Sequence, residues 1–60
     1  MSEVLEDVRK RIKEAEKQLA DARDLIDRMR LAGEDTTKML ADYTVAKQRL
    51  DRYKKAFGVK

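Results

Sequence analysis

The sequence contains no cysteine, no histidine and no proline. Without cysteine there is no disulfide staple, and without histidine the common zinc sites of small domains cannot be built, so a chain this short must rely on helix packing or association. The same absences rule out Ser-His and Cys-His nucleophilic pairs, and Ser2 is the one serine. Glycine is confined to Gly33 and Gly58, which stand apart, so there is no glycine-rich phosphate loop. No apolar run approaches the ~20 residues of a membrane span. The opening MSEVLEDVRKR also lacks the apolar stretch of a signal peptide. These absences, with the lack of cysteine, lead to the expectation of a soluble cytoplasmic protein with no membrane partner.

Charge is abundant. Asp, Glu, Lys and Arg make up 45% of the chain with both signs interspersed, which together with Ala and Leu is the composition of long helices and coiled coils. The net charge of +3 is uneven: residues 1–20 balance at zero, residues 21–40 carry −1 and residues 41–60 carry +4. The end of the second half is the one basic region.

Hydrophobic spacing supplies the architecture. Leu5, Ile12, Leu19 and Ile26 recur every seven residues, and Val8, Ala15, Ala22 and Met29 follow the same period three positions later. Beyond Gly33, Thr36, Tyr43, Leu50 and Phe57 form one heptad position and Met39, Ala46 and Tyr53 the other. Ser2 is an N-cap candidate, with Glu3, Glu6 and Asp7 opposing the positive end of the helix dipole. Arg28 and Arg30 suit the end of the first helix, Gly33 suits its left-handed cap, and Asp35 or Thr36 can cap the next helix. Thr37 reads as a capping residue too. The spacing therefore predicts one all-α domain over 1–60, a helix-turn-helix hairpin with helix 3–32, turn 33–35 and helix 36–57. A short connection makes the helices antiparallel neighbours.

A turn centred near residue 34 pairs residues whose numbers sum to about 68 or 69. Met29 then faces Met39, Ile26 faces Tyr43, Ala22 faces Ala46, Leu19 faces Leu50, Ala15 faces Tyr53 and Ile12 faces Phe57. Small residues receive large ones, as a filled interior requires. In this register the first helix outruns the second, and Val4, Leu5 and Val8 are expected to lie in water in a lone hairpin. Leu25, Ala32 and Leu40 widen the apolar stripe near the turn beyond what a two-stranded seam covers. The expected remedy is a second copy, giving a four-helix bundle dimer with an interface of Leu5, Val8, Ile12, Leu19, Leu25, Ile26, Met29, Met39, Leu40, Tyr43, Leu50 and Phe57. These paired heptads with alanine layers resemble the architecture of the RNA-binding ROP hairpin dimer, a likeness of spacing that implies the same bundle and transfers no functional residue.

Chemical sites are scarce. Glu14, Glu16, Asp21, Asp24 and Asp27 fall away from the heptad stripe and read as a solvated face with i to i+4 partners such as Asp24 with Arg28 and Lys10 with Glu14. No Glu-x-x-His pair exists for a di-iron bundle, and no catalytic residue, metal or cofactor is expected. The expected function is a non-enzymatic oligomerisation or adaptor module that presents a charged surface to a macromolecular partner. The alternative is a small RNA- or DNA-binding dimer. Its phosphate contacts would come from Lys47, Arg49, Arg52, Lys54 and Lys55, beside Arg9, Arg11, Lys13 and Lys17 of the first helix. Tyr53 and Phe57 would stack on bases if exposed, but their heptad positions make them interior residues. Another arrangement packs Val4, Leu5 and Val8 on a different protein.

Overall fold

The computed structural model describes residues 2–59, with side chains from Glu3 to Val59. Two helices, α1 (Ser2–Leu31) and α2 (Thr37–Ala56), fold back on each other as a hairpin. At 1.5 Å per residue α1 is about 45 Å long, which accounts for the 48 Å long axis of a molecule only 15 by 13 Å across. Glu3 in the first turn of α1 and Arg28 and Arg30 in its last both complement the helix dipole. The expected cap at Ser2 lies outside the described side chains.

Both helices stop in the same way. At the end of α1, Gly33 has φ +86° and donates its N–H to the Arg30 carbonyl at 3.0 Å, while the Glu34 N–H reaches the Met29 carbonyl at 3.0 Å. At the end of α2, Gly58 has φ +65°, with Gly58 N–H on the Lys55 carbonyl at 3.2 Å and Val59 N–H on the Lys54 carbonyl at 2.8 Å. This pair of crossed bonds is the Schellman motif, and its left-handed residue is where glycine avoids the Cβ penalty.

The start of α2 divides two tasks that the sequence left between neighbouring residues. Asp35 Oδ1 accepts the Thr37 N–H at 3.0 Å and the Thr37 hydroxyl at 2.7 Å. These bonds hold the Asp35 carboxyl below the usual aspartate range, the backbone bond being the larger cause. Thr36 makes no side-chain cap bond and is buried. Thr36 holds the N-cap position, its carbonyl accepting the Leu40 N–H at 2.9 Å while its side chain is interior as its heptad position implies. Asp35, one residue earlier, supplies the side-chain bond.

The register is visible in two contacts between the helices. Lys54 Nζ lies 3.4 Å from Glu16 Oε2, and the Arg23 guanidinium sits 5.8 Å from the centroid of the Tyr43 ring. The residue numbers of these pairs sum to 70 and 66, either side of the 68 predicted for a turn near residue 34.

The interior is thin. Among the described residues the buried apolar side chains are Val8, Ile12 and Ile26, the last 2% exposed. No residue of α2 is buried. Leu19, Ala22, Met29, Met39, Leu40, Tyr43 and Leu50 are half-buried. Sequence expectations need correction at Val8, at Phe57 and at Tyr53, which was expected in the interior and is exposed. Val8 does not lie in water; it is 6% exposed within a single copy. The α2 cap turns the chain back so that Gly58 and half-buried Val59 share a recess with Glu6, Arg9, Lys10, Ile12 and Lys13, the stretch of α1 that surrounds Val8. A Schellman cap commonly carries an apolar residue at this position, and Val59 extends the short helix by that means. Phe57 leaves the interior place opposite Ile12. It is exposed and packs against Tyr53, ring centroids 4.8 Å apart and tilted by 49°, because the helix has already ended where its side chain would enter the seam.

Candidate functional site

The hairpin has two broad faces, one on either side of the seam between its helices. On the first, a groove runs along the seam. Its half away from the turn is lined by Ile12, Ala15, Val45, Ala46, Leu50 and Tyr53, with Arg11, Asp42 and Arg49 at its rim. Its half towards the turn is lined by Ala22, Leu25, Ile26, Met39 and Tyr43 among others, and the two halves meet at Asp42 and Ala46. Small side chains at Ala15, Ala22 and Ala46 leave the groove open, while Leu25 and Val45 stand beside it 52% and 48% exposed.

The opposite face carries a recess too, but one lined in good part by long polar side chains. Glu16, Lys47, Asp51 and Lys54 surround Leu19, Tyr43 and Leu50, and the Lys54 to Glu16 pair spans the seam. Arg23 lies over the Tyr43 ring nearby. Their methylene stems cover the apolar seam while their charged ends remain in water.

The residues expected at an oligomer interface divide into three groups. Val8, Ile12 and Ile26 are already covered within one copy. Leu19, Met29, Met39, Leu40, Tyr43 and Leu50 keep part of their surface free, and Leu5, Leu25 and Phe57 are exposed. Val45 and Tyr53 belong with the exposed group and were not expected there. Val45 carried a readable signal, since it stands one position before Ala46 in the stripe, just as Leu25 stands one before Ile26.

The five basic residues considered for nucleic acid do not share a surface. Arg49 rims the open groove, whereas Lys47 and Lys54 line the opposite face and Lys54 is engaged by Glu16. Arg52 and Lys55 are exposed between these positions around the helix. Of the acidic residues on the outer face of α1, Asp24 pairs with Arg28 at 3.2 Å and Asp27 with Arg23 at 3.4 Å. Among the described residues no three carboxylates converge as a metal site would require, no buried polar side-chain atom lacks a partner, and no helix is long and apolar enough to cross a membrane. Comparison with protein-family models, with curated proteins and with solved structures gives no match for this chain.

Proposed function

We propose that the chain is a non-enzymatic oligomerisation or adaptor module: two hairpins associate as a four-helix bundle, and the charged exterior meets a macromolecular partner. The observation that carries this reading is that α2, twenty residues long, buries none of its side chains within one copy. A helix of this length owes its stability mainly to packing of its apolar face, and here that face is half uncovered. A second copy supplies the missing contacts. The composition argues against chemistry, since the chain has neither histidine nor cysteine and its acidic residues are spread over the surface. Folding and association are then linked, so the melting temperature should rise with protein concentration. Circular dichroism melts over a hundredfold concentration range test this; superimposable curves count against the dimer.

A second reading keeps one observation in its favour. Tyr53 and Phe57 form an exposed aromatic pair on a basic helix end, which is a platform on which unpaired bases stack. Such binding depends steeply on salt. Gel shifts with single-stranded RNA and DNA at low and high salt decide it, and no shift at low salt removes it.

A further inference from the structure

We propose that the open face binds a second copy of this chain lying antiparallel to the first, about a two-fold axis that passes beside Ala22, Val45 and Ala46. This rests on the homodimer reading above and assigns its surface and orientation. The opposite face suits the role less, because its recess is lined by Glu16, Lys47, Asp51 and Lys54 rather than by apolar side chains. The open face presents Leu25 and Val45 on either side of a groove floored at mid-length by two alanines.

The charges on this face fix the orientation. Asp42 lies towards the turn, which itself carries exposed Glu34 and Asp35, while Arg49 and Arg11 lie towards the other end. An axis midway between Asp42 and Arg49 falls at Val45 and Ala46, and the register places Ala22 at the same height on α1. About that axis Arg49 of each copy comes opposite Asp42 of the other. The same rotation carries Arg11 to the height of residue 34 in the second copy, beside Glu34 and Asp35. One axis thus satisfies both arginines. Parallel copies would instead gather four arginines in one half of the interface and both Asp42 carboxylates in the other, and like charges brought together in an interface oppose binding. The two copies overlap from about residue 11 to residue 34, about 36 Å at 1.5 Å of rise per residue, and a face 15 Å wide then has a footprint of about 540 Å², at the low end for a specific interface.

The chain has no native cysteine, so Glu3→Cys carries a single spin label at the far end of α1, clear of the groove. Its mass is measured by light scattering and the distance between labels by pulsed electron resonance. The antiparallel dimer places the labels on the order of 50 to 60 Å apart at 1.5 Å of rise per residue. A dimer with labels within about 30 Å of each other overturns the orientation and leaves the homodimer standing. A monomer at all concentrations overturns the homodimer reading itself. Charge reversal adds an independent check: Asp42→Arg and Arg49→Asp should each weaken association roughly tenfold, and the double reversal should restore it. Additive losses in the double variant would contradict the proposed pairing.

Discussion

The two faces of the hairpin are built by the same pair of helices in the same register, yet the recess on one is lined mainly by apolar side chains and that on the other by long charged ones. The difference lies one residue to either side of the heptad stripe. On the polar side stand Glu16, Arg23, Lys47 and Lys54; Lys54 meets Glu16 across the seam and Arg23 lies over the Tyr43 ring of α2. On the apolar side stand Leu25 and Val45, next to the stripe's own Ala15, Ala22 and Ala46, whose short side chains leave the groove between them. The comparison teaches that a two-helix molecule can finish one side of its seam with its own lysines and arginines, and that short apolar residues on the other side leave the work to a partner.

The largest expected effect comes from the interior the two faces share. Ile26→Ala removes a side chain buried beneath both and should cost about 2 to 5 kcal/mol, lowering thermal stability and association together. If only association fell, Ile26 would belong to the interface and not to the hairpin. Next come changes confined to the apolar side. Leu25→Asp or Val45→Asp should cost the dimer about 1.5 to 3 kcal/mol for each apolar side chain left uncovered. Helix content at high concentration should stay near that of the unmodified chain, and equal loss of both would erase the distinction between the faces. On the polar side, Glu16→Gln breaks an ion pair whose members are partly in water and should change stability by no more than about 1 kcal/mol. Sedimentation of that variant should be unaltered.

The smallest effect concerns the turn and separates neither face from the other. The hydrogen bonds from Thr37 depress the Asp35 carboxyl, so its contribution is complete above the ordinary aspartate range and is lost as the pH falls through the lower, folded value. Acid melts of Asp35→Ala should therefore converge on those of the native chain at low pH and lie below them at neutral pH. A constant gap at every pH would show that Asp35 does not supply the capping bond.

Much of this fold was legible because helix spacing is a local property. Gly33 and Gly58 marked the two helix ends, the heptads marked the seam, and their sum near 68 matched the contacts of Arg23 with Tyr43 and of Lys54 with Glu16. What escaped was decided by geometry beyond the last turn. The heptad count placed Val8 past the end of α2, although it is buried, and the capped chain brings Gly58 and Val59 to a recess shared with Glu6, Arg9 and Ile12 of α1. Phe57 kept its heptad position in the sequence and lost it in space because the helix stopped there. Val45 was passed over because it stands one position before the stripe, where the seven-residue count does not look. The two faces were not separable from spacing alone, because that distinction depends on how far each side chain reaches.

Sedimentation equilibrium of the unmodified chain, from about 1 μM to about 1 mM, tests most directly whether one hairpin is an incomplete structure. The mass should rise with loading from 7.0 kDa towards twice that value, and the melting temperature should follow it. A cooperative 7.0 kDa species at every loading, melting at one temperature, would show that the open groove needs no second copy.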